Sequence, residues 1–487
     1  MNPLPPRDRL GRDRLIIVLV GLATLLPGLG QLADLASREG RHALIAAEMA
    51  ASGDLVVPRL LGEEYRDKPP VLHAAAAGLY RLTGRPSLGA ARAVTALAAL
   101  IGALLLHALA RATGRDRRVA LWAALALLGA FGYARMARVA RPDMILGAAI
   151  LAATWALVRA GGATSGPRRA LWIFLGGAMV GLGVLTKGPW GLVFPLVAVL
   201  AVRFERGPRA TTDASSPVAR AVSDLAAFLP GLLLAVAVWV LPAYLRDDGA
   251  YLERVIFQPN LVSGSSHHAR SFFFYFGNGP LFLLPLTLFA PLLLLAPRRR
   301  SWALLAAGVI FLLLSLVPGK RSHYLVPWYP FAVLAVVEAV FRHDHRRLAR
   351  RAFFGLVGLS LLVMPLANTL GPIRKGRTLE PDLVASREII RELGADASLV
   401  CVSDLGEKVG LAARLDGEAI APRVHEVGDL DRLATFLEAR RRPASGWAVL
   451  VPDRMRAEFE RRWPEARPLR TGFGERTRLG LWRLPGA

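Results

Sequence analysis

The chain has 487 residues, a hydrophobic share of 54%, a mean hydropathy of +0.40 and a formal charge of +24 at pH 7. Repeated apolar runs long enough to cross a bilayer exclude a soluble globular protein. The arginines punctuate those runs instead of gathering on one face or in one tail, which excludes the nucleic-acid partner that their number would otherwise suggest.

Arg7, Arg9, Arg12 and Arg14 precede an apolar run from Leu15 to Ala33. That run is longer than a signal-peptide core and reads as an uncleaved first span. A first outer loop follows over residues 34–87, and within it the stretch from Glu39 to Pro70 is unusually rich in charge. From Arg41 to Ala51 apolar residues recur at helical intervals, which predicts an amphipathic helix at a membrane surface, stopped by Ser52-Gly53-Asp54. Gly62 and the paired Pro69 and Pro70 make the remainder a fixed loop that holds Asp67 and Lys68 in place.

Further spans are predicted at Leu88 to Ala110, Val119 to Met136, Met144 to Val158, Leu171 to Leu185, Pro189 to Phe204, Leu225 to Leu245, Phe272 to Ala296, Trp302 to Val317, Tyr324 to Phe341 and Phe353 to Leu370, eleven with the first. Several fall short of the usual ~20 residues, so broken or re-entrant segments are expected among them. Alternate connections carry the arginine clusters, among them Arg111, Arg115, Arg117 and Arg118, then Arg298 to Arg300. In the eleven-span reading all of these come out cytoplasmic with the N-terminus, and the other connections face outward. The membrane domain ends near residue 371. Residues 372–487 have a soluble composition, with helices at Leu383 to Leu393, Leu430 to Arg440 and Met455 to Trp463 and strands at Ser398 to Val402 and Trp447 to Val451, which predicts a small α/β domain on the outer side. Cys401 is the only cysteine, so no intrachain disulfide is possible.

The outward connections hold what topology leaves over. They carry the carboxylates Glu39, Asp67 and Asp143, the adjacent His267 and His268, and Arg135, Arg138 and Arg141, spaced three apart on the side where cations are disfavoured. The chain has five lysines against dozens of arginines, and Lys68, Lys187 and Lys320 each sit at an outward turn beside Gly or Pro. Cations that hold a phosphate and a carboxylate that orients or deprotonates a nucleophile suit a reaction on anionic, lipid-borne substrates. The bland alternatives are interfacial anchoring for the lysines and arginines, helix-start charges for Glu39 and Asp143, solvated loop positions for the histidines and an aromatic belt for Tyr324 and Tyr329.

An acidic residue before Arg41-His42-Ala43, then Ser52-Gly53-Asp54, Pro58, Asp67-Lys68-Pro69-Pro70, Arg141-Pro142-Asp143, Thr186-Lys187-Gly188-Pro189 and Lys320-Arg321 with Tyr324 and Tyr329 resembles the GT-C glycosyltransferases. The pattern is most similar to the ArnT-like aminoarabinose lipid A transferases, which are related to the protein O-mannosyltransferases. The resemblance covers roughly the first 340 residues. It implies a polyprenyl-phosphate sugar donor such as undecaprenyl phosphate, a lipid A-like acceptor, and transfer at the periplasmic face of a bacterial inner membrane, with the C-terminal domain periplasmic.

It makes Lys68 a donor-phosphate ligand, with Glu39 and Asp143 in the catalytic set and Arg41, Arg135, Arg138, Lys187, Lys320, Arg321 and Tyr324 around the substrate. It also implies a divalent metal, Zn or Mg, near Asp67 with His267 or His268. The family usually shows an Asp-Glu pair where this chain has Arg38-Glu39, which leaves the acidic role either with Glu39 or at another position. A protein O-glycosyltransferase using the same donor class, and a transporter or flippase of anionic lipid-linked substrates, are the alternatives.

Overall fold

The computed structural model describes residues 7–31, 39–162, 166–207, 217–256, 269–295, 301–342, 347–374, 381–393, 398–402, 406–415, 423–440, 443, 446–473 and 479–485. In chain order these begin with α1 (Arg7–Leu25), α2 (Glu39–Ser52), the short strands β1 (Arg59–Leu60) and β2 (Glu63–Glu64), α3 (Val71–Thr83) and α4 (Leu88–Ala112). Then come α5 (Arg117–Gly129), α6 (Phe131–Ala137), α7 (Asp143–Ala160), α8 (Pro167–Lys187), α9 (Trp190–Arg206), α10 (Pro217–Asp247), α11 (Ala250–Ile256) and α12 (Phe274–Phe282). Next are α13 (Leu292–Leu295), α14 (Trp302–Leu316), α15 (Tyr329–Arg342), α16 (Arg347–Arg374) and α17 (Pro381–Leu393). The last stretch holds β3 (Ser398–Cys401), α18 (Gly406–Leu415), β4 (Arg423–Glu426), α19 (Leu430–Ala439), β5 (Trp447–Pro452), α20 (Asp453–Arg462), β6 (Arg467–Phe473) and β7 (Leu479–Leu484). Contacts divide the chain into two compact units: Met1–Leu29, Arg66–Leu72 and Arg92–Thr369 form the first, and Gly30–Tyr65, His73–Ala91 and Leu370–Ala487 the second.

The first unit is helical. Among the described residues α4, α7, α8, α10 and α16 are each long and apolar enough to cross a membrane, five spans, or up to seven if two bent pairs each count as one. Every expected span has a helix at its place, several of them shorter than a full crossing. The span expected over Val119 to Met136 is broken by 66° between α5 and α6, and the one over Phe272 to Ala296 by 102°. In the second, Pro280, Pro285 and Pro291 remove the donors a continuous helix needs. In the first, Ala130 is extended, and the freed N–H of Phe131 is taken by the carbonyl of Leu284 at 2.9 Å.

Glycine decides how α8 meets α10. A Cβ on Gly177 would lie 2.2 Å from the Phe228 carbonyl oxygen, and one on Gly231 2.0 Å from that of Phe174, so the two backbones touch through Gly177, Gly181 and Gly231. At the far end of α9 a buried ion network ties four segments together. Arg115 donates to Glu205 at 2.6 and 2.7 Å and to Glu338 at 2.7 Å, and Glu338 also accepts from Ser301 and Arg342, both at 2.8 Å. Nearby in sequence, Arg117 forms a bidentate pair with the fully buried Asp13.

The second unit carries a five-stranded sheet of order β4-β3-β5-β7-β6, with β3 parallel to β4 and β5, and β7 antiparallel to β5 and β6. Strands β3 and β5 are buried along their whole length, hence their unbroken apolar runs. The two expected strands are present, and β4, β6, β7 and helix α18 add to them.

This unit also takes up α2 and the hairpin of β1 and β2. Nine of the fourteen residues of α2 are buried. A Cβ on Gly40 would meet Leu411 of α18 at 3.3 Å, and one on Gly410 would meet Leu61 and Leu44 at 2.9 and 3.0 Å. The expectation of a helix lying on a membrane surface is thus corrected: protein covers α2, because its small residues admit α18 closely. The expected fixed loop is a tight hairpin whose turn residues Leu61 and Gly62 both have positive φ, 56° and 81°. Glu48 locks that turn by accepting from both of their N–H groups, at 2.8 and 3.1 Å.

Candidate active site

The site in the first unit is built from helix ends. Helix α7 starts at Asp143 directly after Arg141-Pro142, where a carboxylate meets the positive end of the helix dipole. Helix α8 stops at Lys187 because Gly188 adopts a left-handed φ of 65°, and the ammonium complements the negative end. Gly183 and Gly191 then let α9 fold back, since a Cβ on Gly191 would lie 2.2 Å from the Gly183 carbonyl carbon. With α7 and α8 packed side by side, Asp143, only 3% exposed, forms an ion pair with Lys187.

Aromatic and cationic groups close around this pair. The Lys187 ammonium stands 3.8 Å from the centre of the Tyr324 ring. Arg141 approaches His323 Nε2 at 3.2 Å, and His323 meets Tyr324 edge-on at 4.8 Å. A guanidinium only donates, so Nε2 is the acceptor and the imidazole is neutral. Burial pushes His323 down to about 3, with Asp143 opposing and Lys187, Arg141 and Lys68 assisting.

Lys68 belongs to the same cluster. Burial, and then the neighbouring charge of Lys187, bring its ammonium down to about 8, against the pull of Asp143 and Asp67. Three cations, Lys68, Arg141 and Lys187, therefore face two carboxylates, Asp67 and Asp143. Such a group has a place for a further negative charge.

A cavity of about 540 Å³ opens beside it. Asp67, Lys68, Thr186, Lys187 and Tyr324 form its polar end, and Leu146, Phe194, Val236, Trp239, Leu314 and Val317 supply an apolar wall. The shape and chemistry suit a molecule with an anionic head and a hydrocarbon body.

The other expected residues are distributed as follows. Lys320 is buried, but its ammonium donates to the carbonyls of Val317 at 2.6 Å and Arg270 at 3.1 Å, clamping the bridge between Ala269 and Gly319. The backbone carbonyl of Arg321 accepts from Tyr275 at 3.1 Å. Arg138 caps the end of α1 through the Leu25 carbonyl at 2.6 Å, and Arg135 is exposed. None of these four lines the cavity. Glu39 and Arg41 open α2 in the second unit, where Glu39 is fully buried.

The sequence reading missed the partnership of Arg141 with His323; the one available signal was a histidine beside Tyr324 in an outward turn. Among the described residues no three His, Cys, Asp or Glu side chains group as a metal site. Asp67 lines the cavity, and His267 and His268 lie outside the described residues.

Fold and site together define a helical protein with several membrane-length apolar helices and a cation-rich cluster at the polar end of a largely apolar cavity. Residues 15–211 match the family profile of dolichyl-phosphate-mannose-protein mannosyltransferase. An Aquifex aeolicus protein is 28% identical, over 80% of this chain and 78% of its own. The undecaprenyl phosphate-alpha-4-amino-4-deoxy-L-arabinose arabinosyl transferase 1 of Sodalis glossinidius is 32% identical over 66% of this chain. The match spans 57% of that relative's own length. The crystal structure of ArnT from Cupriavidus metallidurans bound to undecaprenyl phosphate superposes with a TM-score of 0.74 at 20% identity, over 96% of this chain and 97% of that one. The chain therefore has the fold of that structure, and over the larger part of its length it is similar in sequence to the arabinosyl transferases.

Proposed function

We propose that the protein transfers a sugar from a polyprenyl-phosphate donor to a lipid acceptor of the lipid A kind at the outer face of a bacterial inner membrane, with its N-terminus cytoplasmic and its C-terminal domain periplasmic. The observation that carries this reading is the cavity whose apolar wall ends at Lys68 and Lys187, with Arg141 in the same charge cluster. The relatives named for undecaprenyl phosphate-linked aminoarabinose transfer support it.

In this reading the polyprenyl chain lies along Val236, Trp239 and Leu314, and its phosphate meets Lys68 and Lys187. The bond between the anomeric carbon and the donor phosphate oxygen breaks, and the polyprenyl phosphate leaves with the electron pair as an anion that these cations neutralise. The acceptor oxygen forms the new bond to the anomeric carbon from the opposite side. An acceptor phosphate is already ionised, so no proton moves, and positioning with charge neutralisation supplies most of the rate. A hydroxyl acceptor also needs a base to take its proton. Asp143 holds Lys187 and through it the phosphate.

Turnover of a radiolabelled polyprenyl-phosphate sugar by the purified protein, offered lipid acceptors, tests the proposal. Glycolipid formed by the wild type and lost in Lys68→Ala supports it; vesicle translocation of the donor without any turnover contradicts it. The match to the mannosyltransferase profile favours a second reading, a protein hydroxyl as acceptor, and a serine- or threonine-containing peptide in the same assay separates the two.

A further inference from the structure

The short turn Ser322–Leu325 sets two adjacent rings against the cation cluster. Tyr324 lines the cavity and carries the Lys187 ammonium on its face, whereas His323 is not among the lining residues. The turn is pinned by its own backbone. The Arg321 carbonyl accepts from the Tyr275 hydroxyl at 3.1 Å and from the Tyr324 N–H at 3.0 Å, and the His323 carbonyl accepts from the Val326 N–H at 3.2 Å. The His323 ring is thus presented from a rigid support, as a group that orients others has to be.

Elsewhere in the same unit arginines are met by carboxylates: Arg115 by Glu205 and Glu338, Arg117 by Asp13 and Arg169 by Asp224. Arg141 is met at 3.2 Å by the Nε2 of an imidazole. The difference is one of charge. A carboxylate would orient the guanidinium and cancel it; a neutral ring orients it and leaves its charge in the field of the cluster. Burial, opposed by Asp143 and assisted by Lys187, Arg141 and Lys68, keeps this ring neutral down to about 3. With His323 neutral, Lys68, Arg141 and Lys187 face Asp67 and Asp143. A third carboxylate at position 323 would make these charges even and leave a phosphate no net charge to meet.

We propose that His323 is a positioning residue for the donor phosphate: a neutral acceptor that aims the Arg141 guanidinium without cancelling the positive charge on which the phosphate depends. Its second contact, edge-on to Tyr324 at 4.8 Å, steadies the aromatic face that carries Lys187. This rests on the reading of the cluster as the phosphate site and adds to it the residue that keeps its charge in excess.

The test is equilibrium binding of undecaprenyl phosphate, and of the uncharged alcohol of the same chain, to full-length protein in nanodiscs, with the alcohol reporting that each variant is folded. His323→Gln offers an amide oxygen at a similar reach and is expected to keep the preference for the phosphate within about threefold of wild type. His323→Glu has the same reach but adds a negative charge, and is expected to lose roughly a hundredfold; His323→Ala, which releases Arg141, loses about tenfold. A residue that only held the fold together would not separate glutamine from glutamate, since both accept from Arg141. Equal preference in those two variants, or wild-type preference in His323→Ala, overturns this inference alone. A wild type that binds phosphate and alcohol equally overturns the donor reading together with it.

Discussion

The two ends of helix α9 treat charge in opposite ways. At Glu205 and Arg206 the surrounding network is balanced: Arg115 and Arg342 meet Glu205 and Glu338, with a serine hydroxyl on a remaining oxygen. About 25 Å away by helix rise, beyond Trp190, the cluster of Lys68, Arg141 and Lys187 exceeds its carboxylates, and Lys68 gives up part of its basicity to burial and to the charge of Lys187. Buried ions that satisfy one another hold helices together. A buried cation left in excess costs stability and is retained for what it binds.

The strongest way to break that contrast is Arg115→Met. Glu205 would then lose its ion-pair partner and Glu338 would keep only Arg342 and Ser301, and a loss of about 3–5 kcal/mol is expected on unfolding in micelles, with donor affinity of the surviving folded fraction unchanged. An equal loss of donor binding would mean that the two ends are not separate. Lys68→Ala is expected to do the reverse, lowering turnover about 100- to 1,000-fold, as removal of one preorganised charge-stabilising donor does, while thermal stability holds or rises.

How far these residues were readable follows the same line. Lys68, Asp143, Lys187 and Tyr324 stood out because cations and an acid at outward turns beside Gly or Pro have no topological explanation, and the structure brings them together. Lys320 met the same criterion and ends on two carbonyls, since sequence spacing does not say whether an ammonium turns into a cavity or back onto its own loop. The bond between Arg141 and His323 joins positions 182 apart in the chain, beyond any local period. The contact of Gly177 with α10 rests on a small-residue spacing that does not name its partner helix. The hairpin at Leu61-Gly62 was hidden because two-residue strands have no alternation to read.

A subtler sharpening uses pH. Lys68, down to about 8 in the fold, is charged below that pH and neutral above it. Donor affinity measured by titration should hold up to about pH 8 and then fall by up to about tenfold per unit. Stability should move the other way: between about 8 and the ordinary lysine value the unfolded chain binds the extra proton, so melting temperature rises with pH across that window. The smallest effect is expected from Arg135→Gln, an exposed arginine outside the cavity, with turnover within about twofold of wild type in the same assay.

The most direct measurement is equilibrium binding of undecaprenyl phosphate to purified wild type, Lys68→Met and Lys187→Met in nanodiscs, against the uncharged alcohol of the same chain. If the cluster is the phosphate site, wild type prefers the phosphate and each variant loses that preference by roughly tenfold or more while still binding the alcohol. Equal preference for the phosphate in all three proteins would contradict it.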